Sequence, residues 1–423
     1  MGRFEGRQEL LGLLIPVLFM TGCDGPSSEP VAAPLRSVAT ARSAPGLDRT
    51  MRVLLAADLP SYQVAVPGLF DLIDADGHKV LCQDAGAPQL TIQFGPGAIA
   101  FLELERVFEV EAVEIVPHGP EPVTVFLGDQ RSRYAGTLTV YRYSDDTGAL
   151  VNSVDVEDYL VSVVASEAPA TFHPEALRAQ AIVSRTYAWY QKRMAPPGRR
   201  WDLMASEGSQ VYSGIPWAPA GRLSAEAVRD TQGLVCTWRS PQGERIFCAY
   251  FSSTCGGHTQ AAGPVKNEST IPPLSGNVRC DYCADSPWFS WGPVRISKKV
   301  VTKRLRQKYP RFQNLSQIEE IQVVEQTAQG RPVRLRLLDA RKRSIELEAE
   351  NFRLTVDPTG RELRSTFCKI QSRADHFVFS EGKGFGHGLG LCQYGADGMA
   401  RAGADAAYIL RHYYPQSSLK RAY

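Results

Sequence analysis

The sequence predicts an α+β protein in which mixed, strand-rich sheets and a small set of helices surround a cleft, preceded by an N-terminal signal and a flexible tether. Short alternating apolar runs separated by Gly, Pro and Asp predict strands from Met51 to about residue 150. Two helical patterns follow between Val156 and Tyr190. With 423 residues and 43% hydrophobic content, the chain can bury a sizeable core. We expect a signal, a tether, a β-rich N-terminal part, a main core and a C-terminal tail at residues 1–22, 23–50, 51–150, 151–415 and 416–423.

The first 22 residues have the pattern of an export signal. Arg3 and Arg7 precede an apolar run over residues 10–20, which is too short for a comfortable transmembrane span, although Glu5 and Glu9 weaken the positive start. Residues 20–23, MTGC, resemble a bacterial lipobox, with methionine where leucine is typical. We therefore expect a lipoprotein signal, with Cys23 lipidated and the protein anchored to a membrane, facing the periplasm or cell wall. The alternative is a cleaved signal with an incidental cysteine.

Composition indicates a tether and argues against one class of partner. Residues 24–48 are rich in Pro, Ser, Ala and Gly and contain few large apolar side chains. Such a segment cannot bury enough surface to offset the entropy of ordering it, so we expect residues 23–50 to be flexible. The net charge of +2 gives no electrostatic case for nucleic acid as a partner.

The stretch from Val156 to Tyr190 predicts two helices joined by a short turn. The first helix should end near Glu167, because Pro169 disfavours helical dihedrals at the residue before it. Pro174 favours the start of the second helix, where a missing N–H costs nothing. A glutamate at a helix end is usually just solvated. At this junction, however, the helices on either side could present Glu167 to a cleft while holding its backbone still.

The remaining elements follow from turn and cap residues. Residues 146–148 predict a hairpin turn that leads into the first helix, and residues 241–244 predict a turn between two strands. Ser224 as N-cap and Gly233 as stop predict a short helix. Residues 296–309 predict a basic amphipathic helix with a solvated outer face. Three alternating runs after it predict strands that close a sheet beneath the helices.

The nine cysteines need an explanation in a chain with an export signal. Without Cys23, eight remain, an even number that is compatible with disulfides in an oxidising compartment. The spacings Cys255-x-x-His258 and Cys280-x-x-Cys283 also fit a tetrahedral zinc site with two ligands on each turn. Two interpretations stay open. One is a structural zinc with these four ligands, and the other is a disulfide from Cys255 to Cys280 or Cys283.

The last motif is GKGFGHGLGLCQYGADG, residues 382–398. Its alternating glycines allow close backbone approach and positive φ around His387. The spacing of a phosphate-binding loop is absent. Gln393 and Tyr394 begin the next predicted helix. A lone histidine is more often structural, but the glycine frame makes His387 a candidate for lining the cleft.

Three stretches resemble the three sequence blocks of the SpoIID/LytB family of peptidoglycan-acting proteins, in the same order. They are VEDYLVSVVASEAPATFHPEALRAQAIVSRTYA, AYFSSTCGGHTQ and the glycine-rich motif with the helices that follow it. The departures are small: Ala168 stands where methionine is common in the family, and Arg178 replaces a usual lysine. A unit at residues 210–212, Gln-Val-Tyr, also resembles the family and brings Tyr212 onto a loop.

The resemblance implies lytic cleavage of the glycan strand between N-acetylmuramic acid and N-acetylglucosamine, with a 1,6-anhydro product. Glu167 would act as acid and then base, since only one carboxylate lies in a strong motif and the substrate's own hydroxyl would be the nucleophile. The residues expected to contact substrate are Arg185, Tyr212, His387, Gln393 and Tyr394. Zinc would be the only cofactor.

A rival interpretation comes from the LytB branch of the family. It implies a wall-binding modifier that enhances an N-acetylmuramoyl-L-alanine amidase without cleaving the glycan itself. In both interpretations the partners are peptidoglycan glycan strands and, through the N-terminal lipid, a membrane. Only the second requires a wall amidase as a partner.

Overall fold

The computed structural model describes residues 48–206, 208–266 and 270–423. The predicted signal, the lipid anchor Cys23 and nearly all of the tether lie outside the described residues. Within the described ranges, no helix has both the length and the apolar character that crossing a membrane requires.

Residues 50–155 form two antiparallel sheets that share one apolar core. Their strands are β1 (Thr50–Leu59), β2 (Ser61–Ala65), β3 (Phe70–Asp74), β4 (Val80–Ala85), β5 (Leu90–Gly95), β6 (Ala98–Phe101), β7 (Arg106–Phe108), β8 (Ala112–Pro117), β9 (Val123–Leu127), β10 (Gln130–Tyr134), β11 (Thr137–Arg142) and β12 (Gly148–Asp155). One sheet has the order β1-β12-β11-β8-β3-β4 and the other β10-β9-β2-β5-β6-β7. Alternate residues point into the shared core, as Tyr62 and Val64 do from β2. The Tyr62 hydroxyl donates to the Gly148 carbonyl, which joins the two sheets.

Two helices follow the sandwich and confirm the predicted junction. Helix α1 (Val156–Glu167) begins at Asp155, whose side chain accepts from the Glu157 N–H, and α2 (Pro174–Met194) has its proline in the first turn. Strand β13 (Leu203–Met204) then pairs in parallel with β1. Helix α3 (Ala220–Asp230) packs on α1 and α2 and begins before the predicted N-cap Ser224.

Strands and helices in and next to the second and third sequence blocks are interleaved around α2. They are β14 (Leu234–Ser240), β15 (Gly243–Ile246), β16 (Phe251–Ser252), α4 (Ala262–Lys266), β25 (Leu391–Cys392), α7 (Gln393–Arg401), α8 (Ala406–Tyr413) and β26 (Ser417–Arg421). The predicted turn at residues 241–244 joins β14 to β15, which pair antiparallel. The segment expected as a C-terminal tail contains β26, which pairs with β14. Strand β16 lies parallel to β25 and so brings the two blocks together.

A second apolar core lies between these blocks in the sequence. Its elements are β17 (Ser290–Trp291), β18 (Val294–Ser297), α5 (Lys298–Lys308), β19 (Ile318–Gln326), β20 (Pro332–Asp339), β21 (Ser344–Glu348), α6 (Ala349–Val356), β22 (Lys369–Ser372), β23 (His376–Ser380) and β24 (Gly382–Lys383). The described chain also has single 3₁₀ turns at Leu102–Leu104, Pro272–Leu274, Asp281–Cys283 and Pro310–Phe312. Strands β19 to β21, predicted to close a sheet beneath the helices, form a three-stranded antiparallel sheet. This sheet packs on α5 and α6 around its own cluster, which includes Val301 and Leu337. The predicted α+β class is confirmed.

Candidate functional site

Glu167 is the last residue of α1 and is half-buried. Its Oε1 accepts from the Val211 N–H at 2.7 Å, so the loop that carries the Gln-Val-Tyr unit orients the carboxyl group. Burial raises the pKa of Tyr159 and of Tyr187, and the nearby Glu167 charge raises both further. Both phenols therefore stay protonated beside the carboxyl group at neutral pH.

The main chain at Glu167 is held by an amide side chain from the third sequence block. The Gln393 Nε2 at the start of α7 donates to the Glu167 carbonyl at 3.1 Å and to Gln180 Oε1 at 3.3 Å. Gln180 on α2 in turn donates to Ser184. Gln180 and Gln393 are both buried. The first and third sequence blocks therefore meet at the carbonyl of the candidate acid, and sequence reasoning missed Gln180 in this network.

His387 lies in the glycine-rich turn that follows β24. Its Nδ1 accepts from the Leu389 N–H at 3.0 Å, which places the ring proton on Nε2. Burial lowers the pKa of His387 to about 3, and the charge of Lys266 acts in the same direction. The imidazole is therefore a neutral hydrogen-bond donor at neutral pH. Gly384 in this turn has φ of +76°, and a side chain there would collide with the Thr254 carbonyl.

A series of rings joins the two parts of the site. The centroids of Tyr187 and Tyr250 are 6.5 Å apart, and those of Tyr250 and His387 are 6.0 Å apart. Tyr187 is close enough to Glu167 for the carboxylate charge to raise its pKa, so the glycine-framed histidine and the candidate acid belong to one region of the molecule.

Arg185 and Tyr212, both predicted to contact substrate, are buried and form hydrogen bonds within the chain. Arg185 is 0% exposed and binds both carboxylate oxygens of Glu157, at 2.9 and 2.7 Å. Tyr212 is 4% exposed and donates to the Asn152 side chain at 2.7 Å. Tyr394 is half-buried, with its ring edge-on to Phe172.

Four cysteine side chains converge between the second and third blocks. The sulfurs of Cys255, Cys280, Cys283 and Cys392 lie within 4.8 Å of one another, and all four residues are buried. The Cys255 and Cys283 sulfurs are 3.8 Å apart, close to the sulfur separation of about 3.8 Å that tetrahedral geometry and a Zn–S bond of about 2.3 Å require. The donor set therefore fits a structural zinc ion. This set differs from the predicted one, in which His258 was the fourth ligand.

The backbone of His258 forms a β-bridge with Arg279, and the His258 side chain does not belong to the cluster that the described residues form. Cys392 takes its place in the cluster, and the N–H groups of Cys255 and Gly395 both donate to its sulfur. All eight described cysteines are free thiols, so the alternative of a Cys255 disulfide is not adopted within the described residues. The signal in the sequence for the fourth cysteine was its position inside the glycine-rich block, where Cys392 lies.

Comparisons with known proteins show what the chain is similar to. Residues 144–238 match the family model described as SpoIID, Stage II sporulation protein, and residues 276–390 match a domain of unknown function, DUF8618. The chain is 28% identical over 298 residues to Stage II sporulation protein D of Bacillus amyloliquefaciens, covering 68% of this chain and 79% of that protein. It is 27% identical over 301 residues to the protein of the same name from Bacillus subtilis (strain 168), with the same coverage.

A third relative has a different name. The chain is 26% identical over 298 residues to the amidase enhancer of Bacillus subtilis (strain 168), covering 62% of this chain and 40% of that protein. Through the match over residues 144–238 and these relatives, the chain is similar to proteins of the SpoIID/LytB family.

Proposed function

We propose that this protein is a peptidoglycan lytic transglycosylase that cleaves the bond between N-acetylmuramic acid and N-acetylglucosamine. The observation that carries the proposal is the position of Glu167. Its carboxyl group is oriented by the Val211 N–H, and its main chain is fixed by Gln393. A general acid and base needs this kind of support, because proton transfer requires a fixed geometry relative to the substrate.

The reaction uses one protein carboxyl group in two roles. Glu167 first donates its proton to the oxygen of the departing N-acetylglucosamine as the glycosidic bond breaks. It then accepts the proton of the muramic acid 6-hydroxyl while that oxygen bonds to the anomeric carbon, which closes a 1,6-anhydro ring. Water is not consumed, so a second carboxylate to activate water is unnecessary. The neutral His387 and the protonated Tyr187 serve as hydrogen-bond donors along the groove that we propose between them.

Purified glycan strands stripped of peptides test this reaction. The wild-type protein should release fragments with 1,6-anhydro ends, detected by mass spectrometry, and Glu167→Gln should release none while melting at the same temperature. Unchanged glycan with folded wild-type protein would overturn the proposal.

That result would favour the second candidate function, a wall-binding modifier that enhances an N-acetylmuramoyl-L-alanine amidase. The similarity to a protein named amidase enhancer is the observation that supports it. In that case, the wild-type protein and Glu167→Gln should both accelerate the release of stem peptides by an added wall amidase.

The cysteine cluster completes the proposal with a structural zinc ion. With Cys255, Cys280, Cys283 and Cys392 as ligands, no open position would remain, so the metal would hold three chain segments together and would not activate water. Elemental analysis should find about one zinc per chain, bound through thiolates, and Cys392→Ser should reduce that content.

We further propose that the protein is an exported lipoprotein anchored through Cys23, as residues 20–23 suggest. Cys23→Ala should shift the protein from the membrane fraction to the soluble fraction of cells. Equal membrane content of the two forms would contradict the anchor.

A further inference from the structure

A strip of aromatic side chains lies beside the residues assigned to the reaction. The ring of Tyr394 is edge-on to Phe172, with centroids 5.1 Å apart, and the ring of Trp288 is edge-on to Phe385 at 5.9 Å. The Trp288 side chain lies close enough to the Tyr394 hydroxyl to oppose the rise in its pKa that burial causes, so the two pairs lie next to each other and form one strip. Phe172 is 7% exposed, and the other three rings are half-buried. The strip therefore combines fixed rings with accessible ring surface.

The strip is attached to the candidate site at more than one point. Tyr394 directly follows Gln393, whose amide holds the Glu167 carbonyl. Phe385 lies two residues before His387 and exchanges backbone hydrogen bonds with Thr254. A ligand bound on the strip would therefore continue toward the proposed reaction centre.

Arg364 adds a positive charge to the strip. Its guanidinium carbon lies 4.5 Å from the centroid of the Trp288 ring. Its Nε donates to the Arg361 carbonyl at 3.2 Å, and its own carbonyl accepts from the Gly386 N–H. Across the described parts of the chain, no carboxylate lies within the 4.0 Å ion-pair distance of this guanidinium. The charge is thus held beside aromatic rings without an acidic partner.

We propose that this strip is a glycan subsite in which pyranose rings pack on the half-buried aromatic rings and Arg364 binds an anionic substituent of the strand. The inference rests on the proposed function, because it names where the same glycan binds. Aromatic rings bury the apolar C–H face of a sugar while leaving its hydroxyls in water. A guanidinium stacked on an indole keeps its donors in a fixed plane that suits a carboxylate.

The experiment measures binding in the Glu167→Gln background, so that the probe stays intact. The two probes are peptide-stripped glycan strands, which carry carboxylates, and a neutral N-acetylglucosamine hexamer. Trp288→Ala should weaken the binding of both probes at least tenfold by calorimetry. Arg364→Ala should weaken the binding of glycan strands about tenfold and change that of the neutral hexamer less than twofold.

A matched pair elsewhere in the chain provides the control. Arg199 lies 5.5 Å from the Trp201 ring, which contacts Tyr143 in the sandwich, so Trp201→Ala and Arg199→Ala remove the same chemistry away from the strip. Both should bind the probes as the parent does.

Parent-like binding by folded Arg364→Ala and Trp288→Ala would overturn the inference, as would absence of binding by the parent. If Trp288→Ala does not fold, Arg364→Ala and Trp288→Phe decide the question, with partial binding expected for the second. If the wild-type protein cleaves no glycan but the strip variants bind glycan more weakly, the subsite is supported and the proposed reaction is overturned. If the wild-type protein cleaves glycan and the strip variants bind it as the parent does, the reaction is supported and the subsite is overturned.

Discussion

Arg185 shows how a charged side chain in a strong motif can serve the fold. Its guanidinium is fully buried against Glu157, whose side chain is 14% exposed, and also donates to the carbonyls of Val228 and Leu234. Removing one member of such a pair leaves the other charge without compensation. We expect Arg185→Met to lower the free energy of unfolding by about 3 to 5 kcal/mol, measured by urea denaturation.

The exposed pair Arg222 and Glu226 is the control for that prediction, since their side chains are 67% and 42% exposed. Arg222→Met should change the free energy of unfolding by less than about 1 kcal/mol. A folded, fully stable Arg185→Met protein that binds glycan poorly would show instead that Arg185 contacts substrate.

His387 predicts a pH dependence of stability. Its pKa is about 3 in the folded protein and about 6.5 in an unfolded chain. The neutral form is the one that the fold favours, so the contribution of His387 is fully present above pH 6.5 and is lost as pH falls toward 3. Each pH unit in that window removes up to about 1.4 kcal/mol. Between pH 7 and pH 4, wild type should therefore lose more stability than His387→Gln in denaturant titrations, and equal losses would contradict the buried neutral imidazole.

The position of a single residue was predictable where neighbouring residues in the sequence restrict the backbone. It was less predictable where the residue depends on a partner from another element. Glu167 stood out because Pro169 ends the first helix just after it and Pro174 starts the next helix. Arg185 and Tyr212 have the residue types of a binding site, but their burial depends on Glu157 and Asn152, which other elements supply. The sequence next to Arg185 or Tyr212 does not show which partner the side chain will bind.

Helix boundaries follow the same logic. The end of α1 was predictable from Pro169, and the start of α2 from Pro174. The start of α3 was not, because Ser224 has the preference of an N-cap yet lies inside the helix, where its hydroxyl donates to the Gly221 carbonyl. A serine hydroxyl can satisfy either geometry, and packing of α3 on α1 and α2 decides between them.

The contact between α7 and the end of α1 predicts a measurable effect on both stability and reaction. Gln393→Ala would leave the Glu167 carbonyl and the Gln180 amide oxygen without this donor in a buried region. We expect a loss of about 1 to 3 kcal/mol in the free energy of unfolding. Release of 1,6-anhydro ends should fall about tenfold, because a looser Glu167 backbone misplaces the acid.

An exposed glutamine provides the comparison for this variant. Gln371 lies on β22 in the second core and is solvent-exposed. Gln371→Ala should stay within about 0.5 kcal/mol of wild type and keep full activity. Equal behaviour of the two variants would show that the amide network does not position Glu167.

The order of strands across the molecule could not be read from the sequence. Alternation predicted that strands exist, but the pairing of β1 with β12 and β13 joins segments that are far apart in the chain. The second core was missed for a related reason. Strands β19 to β21 are apolar on one face, and only their proximity to α5 and α6 shows which helices cover that face.

The cysteine cluster brings together three segments that are far apart in the chain. Cys255 follows β16, Cys280 and Cys283 precede the second core, and Cys392 begins α7 next to Gln393. Local spacing identified the first three cysteines of the cluster, whereas Cys392 joins them only through the parallel pairing of β16 with β25. A metal bound there would couple the position of α7, and therefore of Gln393, to the segment that enters the second core.

Removal of the metal should therefore loosen this region and lower the thermal stability of the protein, since metal binding to a folded site adds directly to its stability. A thiol-compatible chelator should lower the melting temperature of wild type by several degrees and open residues 256–300 to limited proteolysis. Cys392→Ser should melt lower from the start and respond less to the chelator. Cys82→Ser, which alters a cysteine of the sandwich outside the cluster, should respond as wild type does. If wild type and Cys392→Ser respond equally to the chelator, the four sulfurs do not share a metal, and the fixed position of α7 must come from packing alone.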